Sequence, residues 1–360
     1  MRPSLIRPST VVGVVYLIVL TIFGVVHKYD AFDFVHLGTV WGKGDPGGTW
    51  GYDGQFYYQI ALNPLGAARF MDNAPFRYQR IVYPILTRLL SLGQPILIPY
   101  SLLIVNWLSI ISSVEILSRL LHEAGMSPWY SLSYGLYFGQ ATSLTFDTTE
   151  AFTYALVCLG ILFYQKHRQT SAALVFGLAA VSRETAVLFP LAYILFFLMN
   201  VDWRNVFRYI GLGIIPLAIW LMILARIFGK TGVTFAPPFE HIPFYGIFAQ
   251  SAAPRKFPLL IVTMLVPTAA AGILAGRRLL QWRIHPLLFA WIANILMIVF
   301  LSRFSYLDLI SCSRISVGLT LSGIVYGIVT HDKVVLIASQ YYLFIFGLYI
   351  IGIVIGASFV

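Results

Sequence analysis

Residues 334–356 read VVLIASQYYLFIFGLYIIGIVIG and contain no Asp, Glu, Lys or Arg. A helix needs about 20 consecutive apolar residues to cross the hydrocarbon core of a bilayer. This stretch meets that length, and several others resemble it. Of the 360 residues, 59% are hydrophobic and 11% are charged, with a mean hydropathy of +0.81. Soluble domains carry roughly 25% charged residues, so the composition indicates an integral membrane protein.

Apolar stretches of this kind predict an all-α, polytopic membrane protein. We expect about 11 transmembrane helices within a single transmembrane domain, residues 1–360. Residues 81–92 are either a twelfth helix or a re-entrant segment. The predicted spans are 6–26, 95–118, 128–145, 150–165, 170–182, 184–199, 208–228, 257–275, 286–301, 315–330 and 334–356.

Basic residues recur on alternate short loops, which predicts the orientation. Cytoplasmic loops carry an excess of Lys and Arg. We therefore expect a cytoplasmic N-terminus, with residues 27–94 and 229–256 forming two extracytoplasmic loops. The chain has no Asn-x-Ser/Thr sequon, which favours a bacterial or archaeal plasma membrane. The basic positions are Arg119, Lys166, Arg168, Arg204, Arg208, Arg277, Arg278, Arg283 and Lys333.

The net charge indicates which ligands the protein binds, and the cysteine count indicates whether disulfides are present. The formal net charge is +10. In a membrane protein this charge fits membrane lipids or a phosphorylated ligand better than nucleic acid, so no nucleic acid partner is expected. Cys158 and Cys312 lie in or near apolar segments. Two cysteines exclude a disulfide framework, and we expect both to be small buried side chains.

The segment GYDGQFYYQIA, residues 51–61, places an acid among glycines and aromatics just after the first span. Its spacing predicts a short amphipathic helix with Phe56, Tyr57 and Ile60 on one side. Asp53 then lies in the first turn, where a carboxylate interacts favourably with the helix dipole. Alternatively, Asp53 is a general base whose pKa is raised by burial under the aromatics. Both interpretations stay open at this point.

Two arginine-containing segments lie on the same predicted side of the membrane. Arg77 and Arg80 share one helical face just before an apolar run; they either bind phosphate or extend from the interface into water. Arg183 and Glu184 interrupt the apolar stretch 170–199, where charges are costly and usually functional. They either pair with each other across a tight turn, or Arg183 faces a phosphate and Glu184 orients it.

Weaker candidates for a second acid or an acceptor-binding residue lie in the same predicted extracytoplasmic region. Asp147 and Glu150 are alternatively helix caps and His241 is alternatively part of a loop, whereas Asp30 and Asp33 are alternatives to Asp53 as the base. No His or Cys cluster has the spacing of zinc ligands. A divalent cation is possible among the scattered carboxylates, but nothing in their spacing demands one. The candidates are Asp30, Asp33, Asp147, Glu150 and His241.

Three segments together resemble the GT-C glycosyltransferases, and in particular bacterial relatives of the mannosyltransferase branch that acts on GPI anchors. The resemblance covers roughly the first 200 residues, and the second half matches only as a hydrophobic pattern. The paired acids common in the first loop of the family are lacking unless Asp30 and Asp33 take their place. The segments are Tyr52-Asp53-Gly54-Gln55-Phe56-Tyr57, Arg77-x-x-Arg80-x-x-Tyr83-Pro84 and Ser182-Arg183-Glu184-Thr185.

The resemblance implies a GT-C-like fold in which a large first extracytoplasmic loop carries the active site. It implies transfer of a sugar, such as mannose, from a polyprenyl-phosphate carrier to an acceptor hydroxyl on a lipid, glycan or protein. Asp53 would be the base, and Arg77, Arg80 and Arg183 would stabilise the leaving phosphate. Because that phosphate already leaves readily, we expect no obligatory metal or other cofactor.

Two other protein classes remain as alternatives. A non-enzymatic lipid or solute transporter, or a flippase, would carry polar residues in the middle of its spans. Here the charges collect at the predicted outer ends, which favours a transferase. A membrane acyltransferase would more usually present a His base within a span, whereas the seven histidines lie mainly in loops or at helix ends.

Overall fold

The computed structural model describes residues 7–26 and 28–354. Residues 6, 355 and 356 of the predicted spans, and residue 27 of the predicted first loop, lie outside the described residues. Every regular element in the described ranges is helical, which agrees with the predicted all-α class.

The main helices are numbered in chain order, and shorter helical turns are left unnumbered. The helices are α1 Pro8–Val26, α2 Gly54–Leu62, α3 Ala74–Tyr78, α4 Val82–Leu90, α5 Ile98–Glu123, α6 Phe138–Thr145, α7 Glu150–Gln165, α8 Gln169–Ser182, α9 Leu188–Met199, α10 Trp203–Phe228, α11 Lys256–Leu280, α12 Pro286–Val299, α13 Leu309–Val329 and α14 Lys333–Val354. The short turns are Asp33–Val35, Thr39–Lys43, Ala67–Phe70, Pro128–Ser131, Leu132–Gly135, Glu184–Val187, Gly232–Phe235, Tyr245–Phe248 and Arg303–Tyr306.

Six of these helices are long and apolar enough to cross a membrane: α1, α5, α10, α11, α13 and α14. Four more, α7, α8, α9 and α12, are apolar but shorter. The chain is therefore a helical protein with the features of a membrane-embedded one. Ten of the eleven predicted spans correspond to these helices, with boundaries shifted by several residues.

The predicted span 128–145 is not one helix. It divides into Pro128–Ser131, Leu132–Gly135 and α6. The carbonyl of Gly135, which no longer bonds within a continuous helix, accepts a hydrogen bond from the Tyr16 hydroxyl at 2.7 Å. Broken helices are tolerated at membrane depth when neighbouring segments satisfy the freed backbone groups in this way.

Residues 81–92 do not form a twelfth span. Helix α4 covers 9 residues, or about 14 Å at 1.5 Å per residue, which is half of what a membrane crossing requires. Its Tyr83 hydroxyl donates to the carbonyl of Leu102 in α5 and accepts from Asn106 of the same helix. The segment is thus a short helix anchored to α5.

Helix α13 lies at the centre of the molecule. About 89% of its apolar window is buried, against 17% for α10. Arg314, near the start of this helix, is 4% exposed and lies inside the protein, whereas Asp308, which precedes the helix, is half-buried.

The two ends of the helical bundle differ chemically. Glu150 begins α7, Arg183 follows α8 directly, and Arg314 lies near the start of α13; all three side chains are buried and close together. At the other ends of α7 and α8, Lys166 and Arg168 are exposed. Charged side chains are therefore buried at one end of α7 and α8 and exposed at the other end.

Helix α2 packs between two hydrophobic clusters. Phe56 and Ile60 pack in one cluster with Leu224 of α10. Tyr57 packs in the other, with Leu102 of α5. The amphipathic pattern predicted for this segment is therefore wrong in one respect, because α2 is buried on both sides.

Gly54, the first residue of α2, allows a close approach of two backbones. A Cβ at this position would lie 2.5 Å from the carbonyl oxygen of Phe146 and 3.2 Å from the Cβ of Asp147. Any larger residue must therefore push α2 away from the segment that precedes α7.

Replacing Gly54 with Ala is expected to lower the free energy of unfolding by about 1–3 kcal/mol, the cost of overpacking a tight site. Thermal unfolding in detergent measures this as a lower Tm. Gly42 is the matched control, because a Cβ there meets nothing within 4 Å. Equal Tm values for Gly54→Ala and Gly42→Ala would contradict the expectation.

Candidate active site

Asp53 lies between two arginines. Its Oδ1 accepts a hydrogen bond from Arg77 Nη1 at 2.8 Å, and its Oδ2 accepts one from Arg314 Nη2 at 2.9 Å. Burial by itself raises the pKa of the carboxyl, but the positive charges of Arg77, Arg314 and Arg80 together outweigh it. The pKa of Asp53 is therefore held well below its usual range, which corrects the expectation of a raised pKa.

Asp53 also stands at the N-cap position of α2, but its side chain caps no backbone group. The helix-cap interpretation therefore does not account for this residue. Its carboxylate is bound entirely by guanidinium groups of α13 and of the segment at Arg77.

Each of the three guanidinium nitrogens of Arg77 already binds a carboxylate. Asp72 binds its Nε at 2.9 Å and its Nη2 at 2.6 Å, and Asp53 takes Nη1. The guanidinium also lies over the ring of Phe56, 4.3 Å from its centroid. Arg77, expected to bind phosphate, is instead positioned as the residue that holds Asp53.

Arg80 and Arg183 each bind a different acid. Arg80 makes a two-pronged contact with Glu184, at 2.6 and 3.1 Å, and donates to the Tyr57 hydroxyl at 3.1 Å. Arg183 Nη1 lies 2.6 Å from Glu150 Oε1. Arg183 and Glu184 therefore do not pair with each other, and the tight-turn interpretation of this segment is wrong.

The cluster balances its charges. Four arginines, each with a side chain at most 9% exposed, contact four carboxylates. Burying ions is costly unless each is paired, and removing one partner from a buried pair usually costs about 3–5 kcal/mol. The members are Arg77, Arg80, Arg183, Arg314, Asp53, Asp72, Glu150 and Glu184; we call them the ionic cluster.

Asp147 lies next to this cluster but belongs to no ion pair in the described ranges. Its side chain is wholly buried, its φ is +48°, and neither carboxylate oxygen has a hydrogen-bond partner. Burial raises the pKa of Asp147 well above its usual value, which favours the protonated form of this carboxyl. The helix-cap interpretation fails for Asp147 too, because the N-cap of α7 is Thr149 and the N–H of Ala151 in its first turn donates to Ser143 Oγ.

The remaining candidates lie apart from the cluster. Asp30 and Asp33 are exposed and hydrogen-bond to backbone amides of their own turn. His241 is exposed in the second loop, and the neighbouring Glu240 accepts from the backbone of Arg303. The exposed position of His241 matches its alternative interpretation as part of a loop.

Sequence reasoning missed Asp72, and it noted Arg314 only as a residue flanking Asp308 in another predicted extracytoplasmic segment. Asp308 caps the start of α13 with its carboxylate, and Tyr52 donates to Asp308 at 3.2 Å while its ring lies under Arg314. An Arg six residues after a capping Asp, inside an apolar stretch, was the available signal. The 261 residues that separate Arg314 from Asp53 hid their contact.

An apolar groove opens beside the ionic cluster. Its volume is about 500 Å³, and it runs between α9 and α12. Glu184 and Thr185 stand at its polar end, and Phe239 and Glu240 of the second loop form part of its wall. Two residues of the groove therefore contact arginines of the ionic cluster. Glu184 binds Arg80, and Thr185 accepts a hydrogen bond from Arg183 Nε.

Within residues 7–26 and 28–354, no group of three or more His, Cys, Asp or Glu side chains is arranged to hold a metal ion. No family model, curated protein or solved structure matches the chain. A functional interpretation therefore depends on the geometry of the ionic cluster and the groove.

Proposed function

We propose that the chain is an inverting glycosyltransferase of the GT-C type that uses a polyprenyl-phosphate-linked sugar. One observation carries the proposal: a buried cluster of four arginines and their acids adjoins an apolar groove. Arginine is suited to phosphate, and an apolar groove suits a prenyl chain. A ligand with both features would place its tail along α9 and α12 and its phosphate toward Arg80 and Arg183.

The proposed reaction takes place at the anomeric carbon. The acceptor oxygen forms a bond to this carbon as the bond to the lipid phosphate oxygen breaks, with inversion. The acceptor proton passes to Asp53, and the negative charge passes to the phosphate, where Arg80 and Arg183 stabilise it. The site would face the extracytoplasmic side of a plasma membrane, with mannose as the expected sugar.

The low pKa of Asp53 sets a condition on this mechanism. A general base works best with a pKa near the working pH, and two guanidiniums oppose that here. Asp53 becomes an effective base only when a second anion competes for one of them. The proposed lipid phosphate is such an anion.

Transfer is tested by incubating the purified full-length protein with radiolabelled polyprenyl-phosphate sugars and membrane lipid acceptors, with and without EDTA. The expected result is a labelled product in which the anomeric configuration is inverted. No transfer by the wild type, together with transport of the labelled lipid in liposomes, would reject the proposal.

A transporter or flippase is the second candidate, and one observation favours it. Gln140 of α6 and Asn294 of α12 are wholly buried, with polar atoms that lack hydrogen-bond partners. Polar residues in the middle of membrane helices often mark transport pathways. The liposome arm of the same experiment separates the two functions.

A further inference from the structure

Two arginines of the ionic cluster have buried nitrogens that make no hydrogen bond, although Glu150 forms an ion pair with both. Nε and Nη1 of Arg314 and Nη1 of Arg183 are buried and have no hydrogen-bond partner. Glu150 lies 2.6 Å from Arg183 and 3.6 Å from Arg314, but neither of its oxygens is aligned as an acceptor. Buried polar groups are almost always hydrogen-bonded, so the pairing at this point is incomplete.

A phosphate would satisfy the unbonded nitrogens of Arg314 and Arg183 better than Glu150 does. The two guanidiniums converge on one wholly buried carboxylate, which offers two oxygens in a plane. A phosphate ester offers its oxygens tetrahedrally and can bind two guanidiniums at once. Arg77 is less suited to this role, since each of its three guanidinium nitrogens already binds Asp53 or Asp72.

The geometry points to Arg314 and Arg183 as the binding site for the phosphate of an amphiphilic ligand, with Glu150 occupying that site as an internal anion in the ligand-free protein. This inference rests on the proposed function, because the ligand would be the lipid phosphate of the donor. It deepens that function by adding Arg314 to the phosphate site and by giving Glu150 the role of a competitor.

The groove supplies the route. Thr185 lines its polar end, and its hydroxyl accepts a hydrogen bond from Arg183 Nε at 3.2 Å. A single side chain thus separates the groove from the guanidinium. A tail lying between α9 and α12 would bring an attached phosphate to this point.

Occupation of the site would also affect Asp53. Arg314 is shared: its Nη2 donates to Asp53, while its Nε and Nη1 point to no acceptor. A phosphate that draws Arg314 toward Glu150's position removes one of the two cations that bind Asp53. Donor binding would then raise the basicity of Asp53, so the base would become active only when the donor is present.

The test measures binding of dodecyl phosphate to the full-length protein in detergent by isothermal titration calorimetry. Glu150→Gln removes the competing charge while keeping the shape, so it should bind dodecyl phosphate about tenfold more tightly than the wild type. Arg314→Gln should bind it at least about tenfold more weakly. Arg119→Gln, at an exposed arginine on α5, is the matched control and should leave the Kd unchanged.

If Arg314→Gln fails to fold, the charge-balanced double variant Arg314→Gln/Glu150→Gln replaces it and should also bind weakly. Inorganic phosphate should bind more weakly than dodecyl phosphate, because it cannot use the groove; equal affinities would contradict a lipid-bound phosphate. Unchanged or weaker binding of dodecyl phosphate by Glu150→Gln would overturn the inference, because a purely structural Glu150 predicts that result.

The two proposals fail separately. Tighter binding by Glu150→Gln without any sugar transfer by the wild type would keep the phosphate site and reject the glycosyltransferase. Sugar transfer by the wild type without tighter binding by Glu150→Gln would support the glycosyltransferase and reject the phosphate site.

Discussion

Replacing Asp53 with Asn is expected to reduce glycosyl transfer by about 10²–10⁴-fold, the usual contribution of a positioned general base. The amide keeps the shape of the side chain but cannot accept the proton of the acceptor hydroxyl. The rate of product formation from labelled polyprenyl-phosphate sugar measures the effect. The Kd for dodecyl phosphate should change far less than the rate.

This variant should remain folded. Arg77 keeps both of its bonds to Asp72, and Arg314 keeps Glu150 nearby. Loss of this charge should lower the free energy of unfolding by about 3–5 kcal/mol, so a lower Tm with a cooperative thermal transition checks that the variant folds. Asp30→Asn and Asp33→Asn serve as controls, because these exposed acids bond only within their own turn. Full turnover by Asp53→Asn would transfer the role of base to another acid, and Asp147 would be the first to examine.

The second large effect is expected at the pair of Arg80 and Glu184. Arg80→Gln should lower transfer by about 10²–10³-fold, as loss of one donor to developing negative charge commonly does. It also leaves the Glu184 carboxylate without its partner. Because Glu184 is 30% exposed and water screens its charge, we expect a loss of about 1–3 kcal/mol in the free energy of unfolding.

The double variant Arg80→Gln/Glu184→Gln separates the two effects. Removing both charges should restore most of the stability, because no unpaired ion remains, yet transfer should stay low. Tm and product formation are measured on the two single variants and the double one. The exposed pair of Glu123 and Lys166 is the matched control, where the same double change should affect neither quantity. Recovery of transfer together with stability would show that Arg80 has only a structural role.

Hydropathy predicted the apolar helices well, because each apolar helix makes the hydrogen bonds of its backbone within itself. It failed at 128–145, where the decisive groups lie far away in the sequence. There, Tyr16 satisfies the Gly135 carbonyl, and the absence of a side chain at Gly139 admits the backbone of α13. Neither contact can be predicted from the composition of residues 128–145.

The candidate site was predictable in part. Asp53, Arg77, Arg80, Arg183 and Glu184 were expected on one side, and the structure brings all five into one cluster. The pairing was not predictable, because it depends on which helix ends meet. The direction of the pKa shift at Asp53 was also missed, because burial under aromatics was visible in the sequence and the contact with Arg314 was not.

The central position of α13 also has a consequence for how the protein is made. The chain is synthesised from its N-terminus, so Asp53, Glu150 and Arg183 enter the membrane well before Arg314 is translated. Until α13 inserts, Asp53 and Glu150 each lack one of their cations, and unpaired charges near a membrane interior are costly. Addition of α13 therefore supplies the last cation of the ionic cluster and balances its charge.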